Sequence, residues 1–464
     1  MPATASTTGT RLGRPSPAAL AQVFKQQTGL DFKPPPSQVY ENKTSSPVHA
    51  VPEFADMGGV AIAYPGTVAR LSAHIQLPPS GPRMFGIPDE LVIRLQQADS
   101  DKPVHVFVFC DDAGELEPLR DRLAKYADAH GLSYDPELIH FVPWDTDTYW
   151  TRDYAPWWVQ YGETGQFGIA KHIYTTLGGG SVGLVEGAEH VSPREGLGIF
   201  RPNDDSAAVK LSDFLNGPIR AWDSAEWHGH KLDPIPPHDW YCTGLLEVGG
   251  NFMVTGDGVI ASTYLVATQN ELPVPRQGAG HSGDPAPEVI DERMRYVLAQ
   301  LNRFMGVHTY HVLPDPTGTY IGHIDCWGKF LAARKVLIAD SEDPATSQKF
   351  GEIADSFTAQ GFEVYRVMCQ DVYIPGADTP ATTAAYTNSL ILNDRVYVPV
   401  AGPAHKDRDE AALAVYGKAL PGYQVIGIPS KPEAPWLGTD ALHCRTHGIP
   451  RQVITNWLNS QLRA

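Results

Sequence analysis

One cysteine lies near the end of the chain, in Asp440-Ala441-Leu442-His443-Cys444-Arg445-Thr446, and four earlier segments each end an apolar stretch with a polar residue suited to binding a cation or moving a proton. These are Trp150-Thr151-Arg152-Asp153, Gly249-Gly250-Asn251, His323-Ile324-Asp325 and Thr387-Asn388. A cysteine, a histidine and two aspartates are the set that hydrolysis of a guanidinium requires. The group is planar, cationic and resistant to water, so it must be held, attacked by a strong nucleophile and relieved of an amine by a proton donor.

Two carboxylates can each take paired N–H groups of a guanidinium, fixing its plane and leaving the central carbon open. Asp153 and Asp325 are the candidates for that pair, against the plainer reading of strand-end caps or surface ion pairs. A thiolate is the suitable nucleophile once its pKa falls below the unperturbed value of about 8.5, and Cys444 is the thiol expected to attack. His323 is the expected proton carrier, because an imidazole titrates at about 6.5. It precedes Asp325 by two residues, so on an extended strand both side chains face one way. By the same alternation His443 is expected to turn away from Cys444, and Cys326 to face the core.

The elements that must position these residues alternate between strand and helix. Gly58-Gly59-Val60-Ala61-Ile62-Ala63-Tyr64-Pro65 and Val104–Cys110 read as buried strands, and Glu115 to His130 as an amphipathic helix. Val336–Asp340 and Phe362–Val367 read as strands around a helix from Thr346 to Gln360. Ser389–Pro399 reads as a hairpin turning at Asn393-Asp394, and Val248–Tyr264 as another turning at Gly256-Asp257-Gly258. Each polar segment precedes or opens such a hairpin, a recurrence compatible with five related units around a centre.

Residues 1–50 are rich in Ser, Thr, Pro and Ala and are expected to form a mobile or loosely docked tail, with one short helix near Ala18 to Gln27. Residues 51–464 are expected to form the catalytic domain, interrupted by a glycine-rich insertion at about 161–200.

At 464 residues and 42% hydrophobic content the chain can bury a large core. Its net charge of −17 argues against nucleic acid or an anionic membrane as partner and favours cationic substrates. Five cysteines spread over this length do not suggest a disulfide framework. No stretch approaches the roughly 18 apolar residues of a membrane span. With no leader seen, a cytoplasmic location is the default expectation. His228, His230, His238 and Cys242 have no standard zinc spacing, so no metal and no cofactor are expected.

Taken together, these residues resemble the guanidino-group-modifying superfamily, and within it the bacterial, Porphyromonas-type peptidylarginine deiminases, which are related to agmatine deiminases. The resemblance runs from about Glu53 to Ile449. It is carried by Glu53–Val60, Phe85-Gly86-Ile87-Pro88, Trp150–Trp157, Arg201–Asp205, Gly249-Gly250-Asn251, Tyr320–Trp327, Tyr386–Ser389 and Asp440–Thr446. It implies an α/β class chain folded as a five-bladed α/β propeller with its site in the central pore. It also implies a cysteine-dependent hydrolase of linear amidines that turns peptide- or protein-bound arginine into citrulline and ammonia without calcium.

By the same resemblance Cys444 is the nucleophile, His323 the acid/base, Asp153 and Asp325 the guanidinium-binding pair, and Asn388 a residue orienting the cysteine. Trp150 matches an aromatic wall against the substrate's aliphatic arm, and Tyr320 and Ile321 match a gating loop. The bacterial enzyme holds a peptide carboxylate with two arginines one residue apart; Arg201 matches the second, Ile199 stands at the first, and Arg194 lies nearby. The cysteine segment is similar to the peptidylarginine form rather than the Gly-Gly-Asn-Ile-His-Cys form of the agmatine branch. Arginine-containing peptides or proteins are thus the implied partners, with a homo-oligomer left open. Agmatine or free-arginine deimination, amidino transfer, and a catalytically silent binding propeller are the alternatives.

Overall fold

The runs rich in β-branched and aromatic residues form strands, and the amphipathic stretches between them form helices that cross from one strand to the next. In the computed structural model, the described residues are 37–66, 85–99, 101–154, 156–162, 166–174, 202–216, 238–270, 287–317, 322–372, 382–431, 436 and 439–462.

Five sheets of the described residues share one plan, in which an antiparallel pair is extended by a parallel strand. Trp157–Tyr161 pairs antiparallel with Gln166–Ile173, which runs parallel to His238–Leu246 after the helix Pro202–Asn216. Met253–Val254 and Val259–Thr263 form the next hairpin, followed by the helix Pro287–Met305 and the parallel strand Thr309–Leu313. Gly328–Ala332 and Lys335–Asp340 then lead through Pro344–Ala359 to Glu363–Met368. Leu390–Leu392 and Arg395–Val400 lead through Lys406–Ala419 to Gln424–Pro429. A two-stranded ribbon, Asp371–Val372 with Thr382–Thr383, joins the last two units.

The remaining sheet joins the two ends of the described chain. Met57–Ala63 runs parallel to His105–Phe109, which in turn runs parallel to Ile139–Val142, while His447–Pro450 lies antiparallel on the outer side of Met57–Ala63. Cys444, three residues before that last strand, is thereby brought beside the segment that leads into Met57.

Local sequence explains why the helices sit where they do. In Pro344–Ala359 the Asp343 side chain accepts from the Thr346 N–H, and a proline opens the first turn. Phe350, Ile353, Ala354 and Phe357 then recur at helical spacing on the buried face. Each large side chain so buried contributes about 2–3 kcal/mol. The turn at Asn393 has φ of 54°, the left-handed conformation that asparagine tolerates in a two-residue hairpin.

Two expected boundaries move. Gln38–Glu41 pairs with Thr309–Leu313, and Val48–Ala50 pairs with Trp157–Tyr161, so the expected tail of residues 1–50 includes two edge strands. These strands are too short to show alternation and are fixed by their partners. The expected insertion at 161–200 likewise begins with an ordinary strand, Gln166–Ile173. The expected helix near Ala18 to Gln27 and the glycine run 178–180 lie outside the described residues.

Candidate active site

The segment carrying Cys444 is not a strand but a series of bends, and it is held from outside. Asn388 Oδ1 accepts from the backbone N–H groups of Ala441 and Cys444 at 3.0 and 3.2 Å, and the Asn388 carbonyl accepts from those of Leu442 and His443 at 3.2 and 3.1 Å. The Asn388 amide nitrogen donates to the Cys444 sulfur at 3.0 Å. Asn388 is fixed in turn by the helix Lys406–Ala419. Asp409 accepts from the Tyr386 hydroxyl at 2.8 Å, and the Tyr416 hydroxyl donates to the Tyr386 carbonyl at 2.7 Å.

A second clamp surrounds the same segment. Arg445 is fully buried and donates to both oxygens of Asp440, at 3.1 and 2.8 Å, and to the Gly86 carbonyl. Burial alone would depress its pKa, but the Asp440 carboxylate outweighs that and raises it. Asp440 Oδ2 also accepts from Trp150 Nε1 at 2.7 Å, which ties the Trp150 indole to the nucleophile segment.

Asp325 and His323 come from the short 3₁₀ helix Ile324–Cys326 and the residue that caps it, not from an extended strand. The shared face expected from strand alternation is therefore replaced by the geometry of a tight turn. Cys444 Sγ donates to Asp325 Oδ2 at 3.3 Å, and His323 Nδ1 lies 3.8 Å from Asp153 Oδ1. The Gly249-Gly250-Asn251 turn fits between these groups. A Cβ on Gly249 would fall 1.9 Å from the Arg152 carbonyl oxygen, so only glycine allows that approach. A Cβ on Gly250 would fall 2.8 Å from both Asp153 Oδ1 and His323 Nδ1 and 3.2 Å from Asp325 Oδ2. Asn251 Oδ1 accepts from the Thr263 and Ile324 backbone N–H groups at 3.0 and 3.2 Å, joining this turn to the one that carries Asp325.

The electrostatics follow from burial and like charge. Burial pushes the Cys444 thiol well above its ordinary pKa, and the carboxylates of Asp325, Asp440 and Asp153 push the same way. Burial also opposes ionisation of Asp325, yet the hydrogen bond and charge of His443 bring its carboxyl below the ordinary value. An Asp325 carboxylate favoured in its ionised form thus stands beside a thiol favoured in its protonated form. A cation placed among those carboxylates would offset the part of this shift that comes from like charge, the larger part being burial.

His443 is the main departure from expectation. It does not turn away: its Nδ1 lies 2.8 Å from Asp325 Oδ2 and its Nε2 3.0 Å from Glu53 Oε2, because strand alternation does not apply within a bend. Cys326 is buried as expected. Glu53, Arg152 and Lys329 were given no role by the sequence, although a lysine inside the apolar run Trp327-Gly328-Lys329-Phe330-Leu331 is a signal that a buried carboxylate is near. Tyr320, Ile321, Ile199, Arg194 and Arg201 lie outside the described residues, as do His228, His230 and the side chains of His238 and Cys242. Among the described residues no three His, Cys, Asp or Glu side chains are arranged so that they could hold a metal ion, and no helix is long and apolar enough to cross a membrane.

This α/β architecture is found in solved structures of agmatine deiminases. It is shared with the agmatine deiminase of Enterococcus faecalis, at a TM-score of 0.56 and 19% identity over 89% of this chain and 99% of that one. It is also shared with a protein of Porphyromonas gingivalis provisionally named an arginine deiminase, at 0.52 and 18% over 87% and 99%. In sequence, residues 292–450 match the Porphyromonas-type peptidyl-arginine deiminase family. A provisionally named agmatine deiminase of Vibrio parahaemolyticus is 26% identical over 51% of this chain and 66% of its own length. One of Shewanella frigidimarina is 23% identical over 49% and 63%, so the alignments span a little under two thirds of these relatives. The chain is thus similar in sequence to the agmatine and Porphyromonas-type peptidyl-arginine deiminases and shares the fold of the solved agmatine deiminase.

Proposed function

We propose that this protein hydrolyses the guanidinium of peptide- or protein-bound arginine to the ureido group of citrulline, with release of ammonia. The observation that carries the reading is the convergence of Asp153, His323 and Asp325 on the space that Gly250 leaves open, with the Cys444 thiol bonded to Asp325. Asp153 and Asp325 would hold the cation, and its charge would favour the thiolate that burial and the surrounding carboxylates disfavour. The Cys444 sulfur attacks the guanidinium carbon, and the C–N bond to a terminal nitrogen breaks as His323 protonates the leaving ammonia. Water then adds to the resulting thiouronium carbon, gives a proton to His323, and expels the sulfur to leave the ureido product. Asn388 would steady the sulfur throughout, with Trp150 beside it along the substrate arm.

A second reading keeps this chemistry and changes the substrate to agmatine. It is favoured by the names of the sequence relatives, whereas the match over 292–450 and the Ala441–Thr446 segment favour the peptide form. Citrulline and ammonia release from a peptide with internal arginine, one with C-terminal arginine, free arginine and agmatine, without added calcium, separates the two. Turnover of either peptide supports the first reading; activity confined to agmatine selects the second, and no turnover of any substrate overturns both.

A further inference from the structure

Behind the nucleophile lies a row of charges that the deimination chemistry leaves unused. Lys329 Nζ donates to Glu53 Oε2 at 2.7 Å, and the same oxygen lies 3.0 Å from His443 Nε2. His443 Nδ1 in turn meets Asp325 Oδ2, which accepts from the Cys444 thiol. Glu53 Oε1 is held by the Ile391 N–H at 2.7 Å, so this carboxylate is fixed at both oxygens. His443, Lys329 and Asp325 are 5%, 3% and 1% exposed, and solvent cannot substitute for these partners.

The arrangement constrains the imidazole. A neutral ring has one N–H and can donate to one carboxylate only, presenting a lone pair to the other. A ring with a carboxylate oxygen within hydrogen-bond distance of each nitrogen satisfies both when it carries both protons. Lys329, Glu53, His443 and Asp325 then alternate in sign up to the sulfur, and a buried row of this kind depends on every member. Arg152 and His447 open with Glu53, Lys329, His443 and Asp325 onto one cavity, so these five groups and the Cys444 thiol are the titratable or charged neighbours of His443.

We propose that Glu53 and Lys329 are positioning residues for the reaction at Cys444: Lys329 and the Ile391 N–H fix Glu53, Glu53 holds the His443 ring at Nε2, and Nδ1 of that ring orients the Asp325 carboxylate beside the sulfur. In its turnover readout this inference rests on the deimination reading above. Loss of the Glu53 carboxylate removes the partner of His443 Nε2 and leaves the buried Lys329 cation beside the ring, so the ring and the Asp325 carboxylate it holds lose their fixed position against the sulfur.

Glu53→Gln in the full chain is therefore expected to lower kcat about tenfold, with KM little changed. The rate of Cys444 alkylation by neutral iodoacetamide, which needs no deimination, should differ several-fold from the wild type at pH 8. If the wild type turns over no guanidinium substrate, the function reading fails while the alkylation rate still decides the positioning role. The double variant Glu53→Gln/Lys329→Met removes the buried pair together and covers the case in which the single variant fails to fold. It should recover stability but keep the lowered kcat and the altered alkylation rate. A wild-type kcat and alkylation rate in either folded variant would reduce Glu53 to a structural ion-pair partner and overturn the proposal.

Discussion

The Asn388 amide nitrogen sits 3.0 Å from the Cys444 sulfur, while the rest of that side chain and its backbone carbonyl accept from four consecutive N–H groups, those of Ala441 to Cys444. One residue thus supplies the acceptors for a segment with no ladder or helix of its own, and it fixes the sulfur relative to that segment. Asn388→Ala would leave the buried N–H groups of Ala441 and Cys444 without an acceptor. The expected cost is about 2–4 kcal/mol in unfolding free energy, together with about a hundredfold loss of turnover. Denaturant unfolding and initial rates check both, and a variant of wild-type stability would show that the clamp is not needed.

Gly250 makes a separate point about space. An added methyl would stand between Asp153, His323 and Asp325, where a guanidinium would have to lie. Gly250→Ala is therefore expected to reduce kcat/KM at least about a hundredfold, chiefly through substrate binding, since the neighbouring side chains need to shift only their ends. Product release over a substrate series measures this. Unchanged KM and kcat would mean that the substrate binds elsewhere.

The thiol gives two predictions of opposite sign from one substitution. Burial and the surrounding carboxylates hold the Cys444 pKa above its ordinary value. Labelling by a neutral haloacetamide should therefore be slow at pH 7 and still rising above pH 9. Asp325→Asn removes one negative charge and should speed that labelling at pH 8 by about tenfold for each pKa unit recovered. A cationic haloacetamidine should label wild-type Cys444 before the other thiols, and Asp325→Asn should abolish that preference. The same response to both reagents would remove Asp325 from the cation site.

How far the sequence revealed this site depends on which local rules the residues obey. The hairpin at Asn393-Asp394 and the helix Pro344–Ala359 follow turn chemistry and helical spacing, and both are found as expected. Cys444, Asp325 and Asn388 were singled out by residue type and order, and they converge. His443 departs from expectation because a bend does not alternate its side chains as a strand does, and the His323–Asp325 relation because a 3₁₀ turn, not a strand, carries them. Glu53 opens a segment that carries the resemblance, but nothing local places it at the site: its partners Lys329, Ile391 and His443 are all remote in sequence, and the closure of the sheet by His447–Pro450 brings His443 beside it.

Glu247 shows that a buried acid in this fold need not belong to the site. It is 2% exposed, neither carboxyl oxygen has a hydrogen-bond partner, and burial holds its pKa well above the ordinary carboxylate value. The folded protein therefore keeps a proton there that the unfolded chain gives up above about pH 4.3. A raised folded pKa contributes its full stability below the unfolded value, and that contribution is lost as pH rises toward the folded value. Glu247→Gln keeps the shape and removes the titration. The variant should match the wild type in unfolding free energy near pH 4 and exceed it by about 1–3 kcal/mol at pH 8. Chemical denaturation at both pH values measures the difference, and curves that stay parallel from pH 4 to 8 would show that Glu247 ionises freely in the folded protein.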